Sequence, residues 1–197
     1  MGAHPREQVG LMAIARRRDQ DVPSIELTKM RRRHLRKVLA IESQVYPRPW
    51  SASLFLSEMS QRGSRTYLVA KNGNDVVGYA GMMFTGVDAH VTNIAVDPAL
   101  QGRKIGTRLL LRLITEAMAR ACETISLEVR VTNTVAQTMY EKFGFSVSGV
   151  RKGYYIETGE DALIMVVDDA LSTEHRLRLQ SIREELDELD RNERSDE

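Results

Sequence analysis

The run from Ile94 to Phe145 constrains the fold of this chain most, because its hydrophobic period switches repeatedly between the strand and the helix value. After the strand-like IAV comes the turn DPALQGRKIG, and then Leu109, Leu110, Leu113, Ala117 and Met118 recur at helical spacing. In ISLEVRV the apolar Ile125, Leu127, Val129 and Val131 alternate with Ser126, Glu128 and Arg130, the pattern of a strand with one buried face. Val135, Ala136, Met139 and Phe143 return to the helical period, and Gly144 supplies a helix stop. Strands and helices that alternate in this way bury each other's apolar faces as helices laid on a sheet, so the fold class is α/β.

The flanking segments extend the same scheme. A helix is expected from Thr28, with Thr28 as its cap, a stripe of Leu35, Val38, Leu39, Ile41 and Val45, and a stop at Pro47 and Pro49. Arg32, Arg33 and Arg36 fall on its other face and read as solvated charge. Ser51 caps a second short helix running through Met59. Thr66 to Lys71, the turn NGND and Val76 to Phe84 read as a hairpin, since Asn-Gly between β-rich runs is the strongest short-range hairpin signal. A third strand is expected from His90 to Val96, and strands at Phe145 to Val150 and Ala162 to Val167 complete a single mixed sheet. In the tail, Leu179, Ile182, Leu186 and Leu189 form a short apolar seam. A terminal helix laid on the domain's own surface uses that seam; a dimer contact is its other possible use.

Composition bounds the function. At 197 residues, 42% hydrophobic and 28% charged, the chain suits one globular domain with modest extensions. The expected division is a basic leader over 1–23, a domain over 24–168 and an acidic helical tail over 169–197. A formal charge of +1 argues against a general nucleic-acid binder. Cys122 is the single cysteine, so no intrachain disulfide can form and a cytoplasmic setting is expected. No run approaches the ~18 apolar residues of a membrane helix, and Arg16, Arg17 and Arg18 after Val9–Ala15 are the wrong flank for a secretory signal. His34, His90, His175 and Cys122 show no metal-ligand spacing, and no metal is expected.

A pyrophosphate needs several backbone N–H groups aimed at one point, and a glycine turn entering a helix supplies them together with the positive end of the helix dipole. QGRKIGTRLL has that form, with Arg103, Lys104 and Arg108 as cationic partners. Its spacing is neither that of the nucleoside-triphosphate loop nor that of the dinucleotide fingerprint.

A strand ending in IAVDP, followed by Gln101 and a glycine turn that opens a helix, resembles the GCN5-related N-acetyltransferases (GNAT), whose signature here is Gln/Arg-x-x-Gly-x-Gly/Ala. The resemblance implies the GNAT fold, a mixed and mostly antiparallel sheet flanked by helices. It also implies an acetyl-coenzyme A site in which Ile94, Ala95 and Val96 hold the acetyl and pantetheine part, while Gly102, Arg103, Lys104, Ile105, Gly106 and Thr107 hold the pyrophosphate. Lys104 stands where the pattern has its first glycine. With the rest of the pattern intact, only the backbone N–H is expected to matter there, without a positive φ. A closer resemblance, over about Ser24 to Val167, is to the RimI-type ribosomal-protein alanine N-acetyltransferases. It rests on PWS at 49–51, NIAVDP at 93–98, LEVR with Asn133, Tyr140 in TMYEKFGF, and YY with GEDALIM.

This likeness makes Glu128 the general base, Tyr140 the general acid and Asn133 a coenzyme contact; Tyr154, Tyr155 and Trp50 are candidates for the walls of a peptide slot. The chemistry agrees with these roles. A protein α-amine, near pKa ~8, must lose a proton before attacking a thioester, and a Lys ε-amine near ~10.4 would cost roughly 3 kcal/mol more. A carboxylate accepts that proton, and a phenol protonates the departing thiolate. The implied reaction is direct transfer of acetyl, within a ternary complex, to a protein N-terminus, with the alanine terminus of a small-subunit ribosomal protein as expected substrate. The Asn133–Tyr140 spacing of two helical turns places both on one groove. The alternatives are an acetyltransferase of the same fold acting on a small molecule or a lysine and, in another class, a non-catalytic ribosome- or partner-binding module built on the charge asymmetry.

Overall fold

The computed structural model describes residues 25–195; the leader expected over 1–23 lies outside the described residues. Seven strands form one sheet: β1 (Ile25–Lys29), β2 (Arg65–Asn72), β3 (Asp75–Thr85), β4 (Asp88–Val96), β5 (Thr124–Arg130), β6 (Ser146–Tyr155) and β7 (Glu160–Val167). Their order is β1-β2-β3-β4-β5-β7-β6, and only β4 and β5 run parallel. The mixed, mostly antiparallel sheet is therefore as expected. Five α-helices flank it: α1 (Leu35–Val45), α2 (Ala52–Ser60), α3 (Ile105–Ala119), α4 (Thr134–Lys142) and α5 (Thr173–Ser195).

Each sheet face carries its own core. On one face α3, α4 and α5 bury Leu109, Leu110, Leu113, Tyr140, Phe143, Leu179, Ile182 and Leu186 against Ala80, Met82, Val91, Ile125, Leu127 and Val129. On the other, α1 and α2 bury Val38, Ile41 and Phe55 against Tyr67, Val69, Tyr79 and Ala95. The apolar seam of the tail is thus used on the chain's own domain: Leu179, Ile182 and Leu186 are buried and only Leu189 stays 39% exposed. Ion pairs of Arg108 with Asp190 and of Lys142 with Glu185 tie α5 to α3 and α4.

Two expectations are corrected. Thr28 caps no helix; it lies in β1, paired with Val69, and the helical segment begins with a short 3-10 turn at Arg32 before α1. Ile25 and Leu27 alternate with Glu26 and Thr28 and lean on the α3-side core, a strand pattern only five residues long that pairing with β2 completes. The strand expected over Phe145 to Val150 runs instead from Ser146 to Tyr155, because β7 pairs with its polar half through two register irregularities. The remaining signals act as expected. Ser51 accepts a hydrogen bond from Leu54 N and caps α2, Tyr46 turns extended (φ −113°, ψ 132°) before Pro47, and β2–β3 closes through a two-residue loop with Gly73 at φ +57°.

The feature that positions the site is a split in the sheet. β4 and β5 pair only at Asp88↔Thr124, Ala89↔Ile125 and His90↔Ser126; beyond these rungs β4 runs on to Val96 and β5 to Arg130 without pairing. A bulge assists the divergence, since the β3–β4 register skips a residue at Thr92. Gly81 accommodates the bulge: a Cβ there would lie 2.3 Å from the Tyr67 ring and 2.6 Å from both Thr92 Oγ1 and Asn93 Oδ1.

Candidate active site

The split exposes an unpaired backbone edge of β4 at Ile94–Val96, and the residues singled out in the sequence gather around it. Ile125, Leu127 and Val129 belong to the α3-side core, so alternation along β5 sends Ser126, Glu128 and Arg130 to the opposite face. The Glu128 side chain is 9% exposed and is held by two partners: Oε2 lies 3.0 Å from His90 Nε2, and Oε1 lies 3.1 Å from Arg151 Nη1. The His90 hydrogen bond, together with the charges of His90 and Arg151, holds the Glu128 carboxyl below its usual range against the opposing effect of burial.

Tyr140 stands in the last turn of α4, buried, with its ring 5.8 Å from that of Phe145. Burial, and secondarily the neighbouring Tyr155 phenol, push its own phenol well above the ordinary range. Tyr155 is half-buried at the end of β6. It is pushed up to about 12 by burial, against the Arg130 guanidinium 3.8 Å above its ring, with Glu128 among the charges that raise it further. Tyr46 is half-buried: desolvation first, then Tyr140 among its neighbours, raises its phenol, and its hydroxyl donates to Ile94 O at 3.0 Å. Tyr46 thus touches the β4 edge directly, while Glu128, Tyr155, Tyr140 and Tyr46 act on one another electrostatically. Tyr154, 43% exposed, packs edge-on against Tyr155 with ring centroids 5.1 Å apart. Trp50 is half-buried on Phe55, centroids 5.2 Å apart, and its backbone N–H donates to the buried Glu42 carboxylate at 2.8 Å, contacts that anchor the loop between α1 and α2.

On the other side of the split, α3 begins beside the end of β4. A Cβ on Gly106 would meet Met139 Sδ at 3.6 Å and Val96 Cγ2 at 3.8 Å, so the turn, β4 and the Tyr140 helix are adjacent. No side chain caps α3 and no acidic residue lies in its first turn, which leaves the N–H groups of Ile105, Gly106 and Thr107 for an anion. Gly102 (φ +82°), Arg103 and Lys104 are exposed on the approach.

Lys104, expected without a positive φ, adopts the left-handed conformation (φ 58°, ψ 13°). The turn needs the glycine-type backbone and the lysine tolerates it under strain, which for an L-residue costs roughly 1–2 kcal/mol. Lys104→Gly relieves this against a greater unfolded-state entropy of about 0.4–1 kcal/mol, so thermal denaturation should show a melting temperature about 2 °C higher. A lower value would mean that the lysine's contacts outweigh its strain.

One further expectation is corrected. Arg108 is not a free phosphate cation: Asp190 of α5 takes both its terminal nitrogens, at 3.1 and 2.6 Å. Asn133 is the exposed N-cap of α4, two turns before Tyr140, and its Oδ1 accepts from Ala136 N at 3.2 Å. Tyr46, Arg151 and His90 were not legible as site residues. Their partners lie tens of residues away, and the polar face of β5 carrying Ser126 and Glu128 is the one signal that pointed toward them. Among the described residues no three His, Cys, Asp or Glu side chains converge as a metal cluster, and no helix is long and apolar enough to cross a membrane.

Comparison with known proteins agrees with this geometry. Residues 35–145 match the model of the acetyltransferase (GNAT) family. The chain is 36% identical over 129 residues to the [ribosomal protein bS18]-alanine N-acetyltransferase of Escherichia coli (strain K12), covering 64% of this chain and 86% of that one. It is 37% identical over 138 residues to a Bacillus subtilis (strain 168) protein provisionally given the same activity, covering 70% and 91% of the two chains. The crystal structure of the ribosomal-protein-S18-alanine N-acetyltransferase from Escherichia coli superposes with a TM-score of 0.68 at 30% identity, over 76% of this chain and 97% of that one. On these matches the chain belongs to the GNAT family and is an acetyl-coenzyme A-dependent N-acetyltransferase.

Proposed function

We propose that the amine acetylated is the α-amine of a protein N-terminus, and that the substrate is the alanine terminus of ribosomal protein bS18, encountered in the cytoplasm. The observation that supports this reading is the fork between β4 and β5: Glu128 stands on β5 beyond the last rung, and Tyr140 on the helix that packs beside the α3 turn and the end of β4. The extended amide arm of the coenzyme would bond to the free β4 edge by main-chain hydrogen bonds, leaving the peptide amine to approach from the Glu128 side.

The donor, when bound, supplies an activated acetyl group as its thioester. The first-turn N–H groups of α3 receive its pyrophosphate, with Arg103 and Lys104 adding charge, and Ile94, Ala95 and Val96 line up its linear amide arm. Glu128 takes a proton from the substrate ammonium. The resulting amine would form the new C–N bond at the acetyl carbon as the C–S bond breaks, Tyr140 would give its O–H proton to the departing sulfur, and the surplus proton on the new amide nitrogen would return to the Tyr140 phenolate through water. Tyr154 and Tyr155 wall the peptide slot opposite the α1–α2 loop, which Trp50 and Tyr46 fix in place. An α-amine suits this site better than a lysine ε-amine, because a carboxylate whose basicity is already depressed removes the less tightly held proton at smaller cost.

A panel of amines tests the substrate class. Peptides opening with alanine, led by the bS18 terminus, should be acetylated with kcat/KM at least about 100-fold above the same peptides blocked at the α-amine and bearing a free lysine, since the proton-removal penalty alone is worth roughly 3 kcal/mol. Equal or better turnover of polyamines or lysine side chains would replace this reading with that of a small-amine or lysine acetyltransferase.

A further inference from the structure

His90 lies outside the residues assigned above, yet it touches the one carboxylate on which the chemistry turns. Its ring bridges two side chains of β5: Nδ1 lies 3.0 Å from Ser126 Oγ, and Nε2 lies 3.0 Å from Glu128 Oε2. The bridge is built by topology. His90↔Ser126 is the last rung of the parallel ladder, so the imidazole stands at the fork where the two strands part. Its side chain is 27% exposed, enough to exchange protons with water.

We propose that His90 is a positioning residue: it tethers the Glu128 carboxylate at the fork and, by gaining or losing its own proton, sets how readily that carboxylate takes the proton of the incoming amine. This rests on Glu128 acting as the base. The network satisfies both charge states of the ring without moving a heavy atom. With neutral imidazole, Nε2–H donates to Glu128 and the Ser126 hydroxyl donates to Nδ1. With imidazolium, Nδ1–H donates to Ser126 Oγ, whose hydroxyl turns to Ala89 O, 3.5 Å away. The difference is one proton on Nδ1, exchanged with water.

The charge then acts on Glu128. Imidazolium and Arg151 together stabilise the carboxylate and weaken it as a base; with neutral His90 only the guanidinium remains. The other groups facing this carboxylate keep their state. Arg151 on β6 remains a cation, and the Tyr154 phenol, raised by burial and by Glu128 itself, remains protonated. Ser126 has no charge to change. A neutral His90 therefore leaves Glu128 the stronger base and a charged one leaves it the weaker.

The test is the pH profile of kcat on an alanine-initiated peptide at saturating acetyl-coenzyme A. His90→Gln keeps an N–H donor for Glu128 but cannot titrate. Its acid limb should move down by at least about half a pH unit, raising the ratio of kcat at pH 6 to kcat at pH 9 about threefold relative to wild type. An acid limb superimposable on the wild-type one overturns the inference. Independently of that variant, the imidazole resonances of folded wild-type protein should titrate with the midpoint of the wild-type acid limb, and a limb that no His90 transition accompanies overturns it equally. Glu128→Gln separates the two levels: if it retains wild-type kcat the base assignment itself fails, whereas an inactive Glu128→Gln with an unmoved His90→Gln limb removes only the role of His90.

Discussion

Glu128→Gln is expected to lower kcat by about 10²–10³-fold, the usual size of a lost general base, while the dissociation constant for coenzyme A stays within about threefold because the α3 anion site on the far side of the split is untouched. Gln preserves the volume and the acceptor toward Arg151, but it cannot take a proton, and its amide nitrogen brings a donor against the His90 nitrogen that now donates to Oε2. Stability should respond as well. The folded-state carboxyl is held below its ordinary range, first by the His90 hydrogen bond. Its charge therefore contributes stability that is fully present above the unfolded value near ~4.5 and is lost as pH falls through the lower, folded value. The variant should accordingly melt below wild type at neutral pH, with the gap closing in acid. Steady-state kinetics, calorimetric coenzyme titration and melting curves measure the three effects, and turnover equal to wild type would remove Glu128 from the chemistry.

Local signals in this chain specify elements, and non-local pairing completes the site. The alternation in ISLEVRV assigned Glu128 to the polar face of a buried strand, and QGRKIG assigned the start of α3; both depend on residues within a few positions of one another. β1 was missed although Ile25 and Leu27 alternate with Glu26 and Thr28, because the pattern spans only five residues and its pairing partner, β2, lies more than 35 residues on. The partners of Glu128 were hidden for the same reason: His90 and Arg151 arrive from β4 and β6. Arg108 looked free from its position at the start of α3, and only the docking of α5 spends its charge on Asp190. Lys104 shows a different limit. Sequence identified it as the departure from the pattern, but whether the turn needs a positive φ is a property of backbone closure, and closure required it.

Tyr140→Phe should lower kcat by about 10–100-fold with KM for both substrates within about threefold, because the loss falls on protonation of the leaving sulfur and not on binding. Phe fills the same buried space and keeps the tilted contact with Phe145 at 5.8 Å, so the melting temperature should shift by no more than about 2 °C. Burial makes the Tyr140 phenol a weaker acid than an exposed one, which at first sight opposes its role. The same desolvation acts on a thiolate forming beside it and raises the basicity of the sulfur, so the two shifts run in parallel and the transfer remains accessible. The raised phenol also fixes a sign in the pH profile: wild-type kcat should show no falling alkaline limb below about pH 10, the ordinary tyrosine range, since Tyr140 keeps its proton beyond it. A limb that falls near pH 9 and disappears in Tyr140→Phe would mean that the proton donor titrates as an exposed phenol does, and an acid buried in the last turn of α4 could not then be the group observed.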